Sequence, residues 1–265
     1  MKVSIICVNY NSYEQLERYI ESINEAYKNH VDSSINIFVA DNSTEVRNVT
    51  FKTNMNISIT HYNNLGYFGG ALSIIKENPD ITESDYVIIS NVDLEVDKSF
   101  FSQLSLIECN ETIGWIAPQI YSTYENRDKN PQRLCRCSKS KLRMLIFMFS
   151  HPFVQRIYKN TLYKRKKNQI KHNDGEKIYC GHGSFIILTK FFFTVYQNLQ
   201  YPCFLYGEEL FLGELIRKAG LDVVYNSKLK IIDAEHVSTG QLPSKSYYKY
   251  NKDALMYIFN TFYRG

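Results

Sequence analysis

Short apolar segments that end on polar side chains recur along the first hundred residues of this chain. Apolar and β-branched residues dominate segments 3–8, 35–40, 57–62 and 86–90, and the polar residues that follow them are Asn9, Asp41, Asn63 and Asn91. Runs of this length and composition are typical of buried strands. Residues 13–27 and 68–77 lie between them and carry apolar positions at helical spacing. Strands that alternate with helices predict a parallel sheet with right-handed crossovers.

The polar ends of these predicted strands indicate a binding site. In open α/β sheets, ligands bind outside the carboxyl ends of the strands. Asp93 stands at such an end, directly after segment 86–92. Taken alone, Asp93 is equally well explained as the cap of a helix near 99–109. Because four consecutive strands end in polar residues, we favour a site at this edge of the sheet.

Several motifs, in their order along the chain, resemble family 2 glycosyltransferases of the GT-A fold. Those of the first half are Val8-Asn9-Tyr10-Asn11, Asp41-Asn42-Ser43, Asn64-Leu65-Gly66-Tyr67-Phe68-Gly69-Gly70 and Asn91-Val92-Asp93. Those of the second half are Gly181-His182-Gly183-Ser184-Phe185 and Phe204-Leu205-Tyr206-Gly207-Glu208-Glu209. The most similar branch contains bacterial rhamnosyltransferases and O-antigen or capsule transferases. The resemblance covers roughly residues 1–120 and 175–260.

The resemblance implies a single GT-A domain over residues 1–265, with a mainly parallel sheet flanked by helices. Residues 1–120 would form the nucleotide-sugar half, 121–177 an insertion, and 178–265 the acceptor-binding and catalytic half. A final helix is expected near 246–263, packed with the insertion on the acceptor side. With 265 residues, 44% of them hydrophobic, the chain can bury a core of this size.

Donor binding is expected at the ends of the first four strands. Uracil and thymine both present an N3–H donor, which a carboxylate at Asp41 can accept; the alternative is an Asx-turn or a helix cap. Glycines at the start of a helix let the backbone approach a ribose or phosphate, where the helix N-terminus favours negative charge. The expected nucleotide-sugar contacts are Val8, Asn9, Tyr10, Asn11, Asp41, Asn64, Gly66, Gly69, Gly70, Asn91 and Val92.

The resemblance also implies a divalent metal, Mn²⁺ or Mg²⁺, on the diphosphate of the donor. Asp93 matches the metal-binding carboxylate of the family, and His236 matches a histidine that reaches the metal or the diphosphate. Asn91 occupies the position where the family's DxD motif has its first acid, so this site carries less charge. A neutral imidazole suits Mn²⁺ better than Mg²⁺, which prefers oxygen ligands.

Two adjacent acids are candidates for the general base that deprotonates the acceptor hydroxyl. Glu208 and Glu209 begin a predicted helix, where acidic residues also favour the helix dipole. The family places its base at the second acidic position, which is Glu209, although Glu208 stays possible. We expect their side chains to point in different directions. The expected acceptor-side residues are His182, Gly183 and Ser184, and His182 is the next candidate if neither glutamate is the base.

Within the insertion, residues 139–149 begin basic and become strongly apolar, and seven further Lys and Arg residues follow between 156 and 171. This pattern is typical of an interfacial segment on anionic lipid; the alternative is a core helix with a solvated basic tail. A net charge of +4 and the lack of a recognised module argue against nucleic acid. Without a secretory or membrane-spanning pattern, and with six cysteines expected to be reduced, the sequence predicts a cytoplasmic protein, peripheral at the inner face of the plasma membrane.

The function expected from these motifs is inverting transfer of a sugar from a UDP- or dTDP-sugar onto a hydroxyl of a glycan acceptor, here lipid-linked, in cell-surface polysaccharide synthesis. A nucleotidyltransferase is a second hypothesis, but it requires a glycine-rich loop with a basic residue after the first strand, and Val8-Asn9-Tyr10-Asn11 does not provide one. A third is a non-catalytic relative that binds nucleotide or glycan. The missing first acid of DxD favours this third hypothesis, and the Glu208-Glu209 pair argues against it.

Overall fold

One mixed sheet forms the centre of the computed structural model, which describes residues 1–30, 33–108, 110–151, 153, 172–234 and 244–264. Within these residues, the strands are β1 (Lys2–Asn9), β2 (Ser34–Asp41), β3 (Asn56–His61), β4 (Tyr86–Asn91), β5 (Leu94–Val96), β6 (Ile113–Ser122), β7 (Arg127–Asp128), β8 (Lys177–Ile178), β9 (Phe185–Thr189) and β10 (Asp222–Asp233). The helices are α1 (Tyr13–Lys28), α2 (Tyr67–Glu77), α3 (Phe100–Ser105), α4 (Lys139–Ser150), α5 (Lys190–Val195), α6 (Glu208–Lys218) and α7 (Ser244–Phe262). A short 3₁₀ helix spans Pro79–Glu83.

The longer strands share one direction, as the alternation of strands and helices predicts. The strand order is β3-β2-β1-β4-β9-β6-β10-β5. Pairing is parallel from β3 to β4 and between β6 and β10, while β9 runs antiparallel to both of its neighbours. The predicted α/β class with a mainly parallel sheet is therefore confirmed. The carboxyl ends of β1, β2 and β4 consequently meet at one edge of the sheet.

Both faces of the central strands are covered, which explains their continuous apolar sequences. In β1, Val3 and Ile5 belong to one buried cluster and Ile6 to the cluster on the opposite face. Neighbouring residues of a strand point to opposite faces, so a strand buried on both sides is apolar at most positions, and the buried Ser4 of β1 is hydrogen-bonded to Ser84 at 2.8 Å. Helix α1 covers one face through Leu16, and α2 covers the other through Phe68.

One predicted helix is shorter in the structure than in the sequence-based prediction. We expected a helix near 99–109, and α3 spans Phe100–Ser105. Phe100, Phe101 and Leu104 are buried beneath the sheet. A further helical turn would bring Glu108, four residues after Leu104, onto this same buried face. The burial of an unpaired carboxylate is costly, which accounts for the end of the helix before that position.

The insertion contributes a helix that packs on the C-terminal helix. Ser138 caps α4 by accepting a hydrogen bond from the Lys141 backbone N–H at 3.2 Å. Leu142 and Met148 are buried, whereas Met144 and Phe147 are exposed. Helix α7 spans 244–262, close to the prediction of 246–263. One side of α4 therefore packs and the other faces solvent, and the basic residues between 156 and 171 lie outside the described residues.

A buried carboxylate ties the insertion and the C-terminus to α6. Glu214 has no exposed side-chain surface and accepts hydrogen bonds from Arg136 at 2.6 Å, Tyr179 at 2.8 Å and Arg217 at 2.9 Å. Burial would raise the pKa of Glu214, but these hydrogen bonds outweigh it and lower the pKa. The Arg136 guanidinium also lies 4.0 Å from the centre of the Tyr263 ring. This network holds α6, whose first residues are Glu208 and Glu209.

The described part of the chain has neither a disulfide nor a helix suited to crossing a membrane. Five cysteines of the described part of the chain, Cys7, Cys135, Cys137, Cys180 and Cys203, form no disulfide. In the same part of the chain, no helix combines the length and apolar character needed to cross a membrane.

Candidate active site

The ends of β1 and β2 are joined by a buried hydrogen-bond network around Asp41. Asn9 and Asp41 are paired in register, and the Asn9 amide Nδ2 donates to Asp41 Oδ1 at 3.0 Å. Ser43 Oγ donates to the same oxygen at 2.6 Å, and the Tyr13 hydroxyl donates to Oδ2 at 2.7 Å. His61, in register on β3, places Nδ1 3.7 Å from Oδ2. The motif residues Asn9, Asp41 and Ser43 therefore hold two loops together.

These contacts set the ionisation of Asp41. Burial would raise its pKa, but the hydrogen bonds from Ser43, Tyr13 and Asn9 outweigh burial and lower the pKa. Asp41 is only 2% exposed. It is therefore a buried, ionised acceptor whose two oxygens already accept hydrogen bonds from within the chain.

The other predicted donor residues of the β1 and β4 motifs divide into packed and exposed positions. Val8 and Val92 are buried, so their side chains serve the core. Tyr10 is 49% exposed and presents its ring at the end of β1. Asn11 has a positive φ of 54° and its side chain accepts from the Thr44 backbone N–H at 3.0 Å. Tyr10 is thus the aromatic surface of this loop that a planar ring can stack on.

The glycine-rich segment owes two of its glycines to close packing. Gly66 has a φ of +76°, and a Cβ at this position would lie 1.8 Å from the Phe204 carbonyl oxygen. A Cβ on Gly70 would lie 3.1 Å from Asn42 Nδ2. The Asn42 amide in turn donates to the Gly66 carbonyl at 2.9 Å and accepts from the Leu65 N–H at 3.2 Å. Only Gly69 is open, because a Cβ there would meet just Leu65 at 3.5 Å.

Asn64 begins this segment in a left-handed conformation. Its φ is 27°, and its side-chain oxygen accepts from the Gly66 backbone N–H at 3.2 Å. The turn leads directly into α2 at Tyr67. The sequence therefore places a preformed turn and a helix N-terminus beside the end of β2.

The end of β4 lies next to the predicted acceptor-side loop. The Asn91 backbone N–H donates to the Ser184 carbonyl at 2.9 Å, just beyond the antiparallel pairing of β4 with β9. Asn91 and Asp93 are partly exposed. His182 is held in the same loop, with Nδ1 2.9 Å from Ser184 Oγ and its backbone N–H donating to Asn130 at 2.7 Å. The DxD-like segment and the acceptor-side loop are therefore neighbours.

Glu208 and Glu209 converge on Gly183, contrary to the expectation that they point in different directions. A Cβ on Gly183 would lie 2.9 Å from Glu208 Oε1 and 3.0 Å from Glu209 Oε1. The helix begins here after two left-handed residues, Tyr206 at φ 69° and Gly207 at φ 84°. In the first turn of a helix, long side chains can bend toward the same point. The two carboxyl groups therefore lie close together although their residues are adjacent in the helix. Left-handed backbone at a non-glycine residue is strained, and such strain clusters at functional sites.

The pKa values of Glu208 and Glu209 are both raised. Burial and the Glu209 charge raise the pKa of Glu208 well above its ordinary value. Burial also raises the pKa of Glu209, although a hydrogen bond from the Gly183 backbone N–H and the nearby Arg133 charge act in the opposite direction. The pKa of Glu208 is thus raised further than that of Glu209, which makes Glu209 the more readily ionised of the two. A carboxylate whose pKa is raised toward neutrality is suited to general-base chemistry.

Tyr67 connects the donor loop to the carboxylate pair. Its hydroxyl donates to the Gly183 carbonyl at 2.7 Å. Burial raises the pKa of Tyr67 well above its ordinary value. The nearby carboxylates of Glu208, Glu209 and Asp93 raise this pKa further. The three predicted residues therefore lie within electrostatic range of one hydroxyl.

Sequence reasoning missed Tyr13, Tyr67 and Arg133 as site residues. Tyr13 and Tyr67 are the first residues of α1 and α2, where a tyrosine is as readily explained by packing as by a role in a site. Arg133 lies in the polar loop 124–136, where nothing in the sequence distinguishes it from its neighbours. One sequence feature could have indicated Tyr13 and Tyr67: each is the first residue of a helix that follows a polar strand-end motif.

The residues present fit a metal ion that is bound together with a diphosphate. Among the described residues, no three His, Cys, Asp or Glu side chains are grouped closely enough to hold an ion by themselves. Asp93 offers one hard oxygen ligand at the end of β4. Mg²⁺ is commonly held by one or two carboxylates and completed by substrate phosphates. His236, the other predicted ligand, lies outside the described residues.

Comparison with known proteins gives a fold but no family assignment. No protein-family model and no curated protein matches the sequence. The structure is similar to that of S. aureus TarS 1–349 in complex with UDP-GlcNAc, with a TM-score of 0.57 and 12% identity, over 100% of this chain and 68% of that one. It is also similar to GalNAc-T7 with UDP, GalNAc and Mn²⁺, with a TM-score of 0.56 and 14% identity, over 97% of this chain and 50% of that one.

A third similar structure is the mannosyltransferase PcManGT from Pyrobaculum calidifontis with GDP-Man and Mn²⁺. Its TM-score is 0.50 at 9% identity, over 89% of this chain and 58% of that one. The chain spans 44% of a longer S. aureus TarS chain. These similarities show that the chain has the GT-A fold.

Proposed function

We propose that this chain is an inverting glycosyltransferase that moves a hexose from a UDP- or dTDP-sugar onto a hydroxyl of a lipid-linked glycan. The observation that carries the proposal is the convergence of Glu208 and Glu209 on Gly183, beside the Asn91–Asp93 segment and the donor loop at Tyr67. A base, a diphosphate-side carboxylate and a nucleotide-side loop are the parts that single-displacement sugar transfer needs.

In the proposed reaction, Glu209 accepts the proton of the acceptor hydroxyl. The hydroxyl oxygen forms a bond to the anomeric carbon as the bond from that carbon to the diphosphate breaks. The nucleoside diphosphate leaves with the bonding electron pair, and one displacement inverts the configuration. The Gly183 N–H orients the Glu209 carboxylate, and Arg133 supports its ionised form. Glu208 keeps a proton near the acceptor, where it can donate a hydrogen bond to a sugar oxygen.

Donor binding is assigned to the loops at the ends of β1 to β4. Tyr10 would stack on the nucleobase, and Asp41 would accept its N3–H. The α2 N-terminus after Gly66 would face the phosphates with its free backbone N–H groups. Asp93, with Asn91 on the ribose, would hold a divalent metal on the diphosphate. Bound there, the metal would neutralise the charge of the departing nucleoside diphosphate.

The finer assignment follows the sequence resemblance. The ordered motifs of the chain support family 2, in the branch of rhamnosyltransferases and transferases of O-antigen or capsule. Rhamnose from dTDP and glucose or galactose from UDP are all compatible with Asp41, because uracil and thymine present the same N3–H. On this proposal, the protein acts at the cytoplasmic face of a bacterial plasma membrane.

Nucleotide binding with and without metal tests the donor site. We expect calorimetry to detect UDP or dTDP binding that Mn²⁺ strengthens, and Asp93→Ala to weaken the metal-dependent binding about ten- to a hundredfold. Glu95→Ala is the matched control, because Glu95 is an exposed acid two residues along the chain. If neither nucleotide binds, or if Glu95→Ala has the same effect as Asp93→Ala, the donor-site assignment is wrong.

A further inference from the structure

Helix α4 exposes an apolar and basic surface that nothing in the described structure covers. Along one side of the helix, Met144 is 44% and Phe147 is 52% exposed, and Phe153 just beyond it is 76% exposed. Lys139, Lys141 and Arg143 are exposed at the start of the same helix. We call these six residues the α4 surface. An exposed phenylalanine pair beside methionine is unusual on a surface that faces only water.

The charge around the α4 surface has a single sign. Helix α4 carries three basic residues and no acidic one, and its packing partner α7 carries Lys245, Lys249 and Lys252 against the single acid Asp253. Six of the 31 basic residues but only one of the 27 acidic residues of the chain therefore lie on these two helices. This surface is complementary to an anionic partner with an apolar interior.

Aromatic contacts place this helix pair beside the candidate base. The Phe149 ring packs 5.9 Å from that of Tyr247, and Tyr247 packs 5.6 Å from Tyr206. Tyr206 is two residues before Glu208. The C-terminal end of α4 is thus connected through two ring contacts to the strained turn that begins α6. A partner on the α4 surface would lie close to the acceptor side of the site.

We propose that the α4 surface docks on an anionic phospholipid bilayer. Phe147, Met144 and Phe153 enter the boundary between headgroups and acyl chains, and the lysines and Arg143 contact lipid phosphates. The purpose of docking rests on the proposed function. Docking would present the carboxylate pair to an acceptor whose lipid anchor stays in the bilayer. A second copy of this chain is disfavoured as occupant, since a two-fold contact would bring the basic residues of both copies together.

Vesicle sedimentation tests the inference without any donor or acceptor. The full chain is mixed with vesicles of phosphatidylcholine alone or with added phosphatidylglycerol, at low and high salt. We expect binding to the anionic vesicles that high salt weakens. Met144→Gln with Phe147→Gln should reduce the binding at least about tenfold, and Lys139→Glu, Lys141→Glu and Arg143→Glu together at least about a hundredfold.

The matched control replaces exposed apolar residues elsewhere, Leu106→Gln with Tyr124→Gln, which are 73% and 83% exposed. This control should bind vesicles as the wild type does. The proposal is overturned if the wild type ignores anionic vesicles, if the control loses binding equally, or if Phe147→Gln instead abolishes a dimer seen by light scattering. UDP binding, measured in parallel, should be unchanged in all α4 variants. A wild type that binds UDP but not anionic vesicles would therefore overturn this inference alone, whereas a wild type that binds no nucleotide would count against the proposed function.

Discussion

Replacement of Glu209 by glutamine is the most direct test of the candidate base. The amide keeps the length of the side chain and can still accept the hydrogen bond from the Gly183 N–H. It cannot take a proton at neutral pH. Positioned general bases contribute ~10²–10⁴-fold to turnover, so we expect a loss of at least about a hundredfold with donor affinity almost unchanged.

The distance between the Glu208 and Glu209 carboxyl groups determines how much activity Glu209→Gln should lose. Glu208 Oε1 and Glu209 Oε1 lie 2.9 and 3.0 Å from the same point at Gly183, so both charges together are unfavourable. The two Oε1 atoms are therefore at most about 6 Å apart, and two unit charges at that separation repel by about 3 kcal/mol at an effective dielectric constant of about 20. In Glu209→Gln this repulsion is gone, so the pKa of Glu208 falls, while burial, the larger cause, still keeps it raised. We therefore expect residual activity that Glu208 supports, and a larger loss in the double variant.

Glu208→Gln is the matched control, and it has a pH signature of its own. The assay is the initial rate of nucleoside diphosphate release with donor and acceptor, followed from acidic to alkaline pH. In Glu208→Gln the pKa of Glu209 should fall, so the acidic limb of the rate profile moves to lower pH. If Glu209→Gln transfers sugar at the wild-type rate while Glu208→Gln does not, the roles are reversed. If both are fully active, the base lies elsewhere and His182 is the next residue to test.

Three further predictions follow from the packing and the hydrogen bonds. In a denaturation experiment, Gly66→Ala should lower the free energy of unfolding by at least about 2 kcal/mol, because its Cβ would overlap a backbone carbonyl. Gly69→Ala has open space around its Cβ and should be neutral or stabilising in the same experiment. N3-methylation of UDP should weaken wild-type binding about ten- to a hundredfold in calorimetry, and Asp41→Asn should lose this preference if Asp41 accepts the N3–H. Glu214→Gln should cost about 1–3 kcal/mol at neutral pH. Because the folded-state pKa of Glu214 is lowered, its stabilisation exists above the unfolded pKa and is lost as pH falls through the folded one; a Glu214→Gln deficit that stays constant into acid would contradict this.

The sequence by itself determined the order and type of the main elements. Strands β1 and β4 are apolar through most of their length because both of their faces are buried, and β2 alternates before its buried end. Both patterns are visible without knowledge of the neighbours. Parallel strands end at one edge of a sheet, so the meeting of Asn9, Asp41 and Asn91 was predictable from their positions after those strands. Ligand preferences at that edge remain proposals, because they depend on groups that are not part of the chain.

Only the tertiary structure decided how individual side chains are used. The need for glycine at Gly66 comes from the Phe204 carbonyl, 138 residues away by the numbering of the sequence. The convergence of Glu208 and Glu209 depends on Gly183, which belongs to another element. The Glu214 network joins residues that no periodicity relates. Local patterns reflect burial and backbone preference, whereas these contacts are set by the docking of distant elements, which is why a sequence pattern could not reveal them.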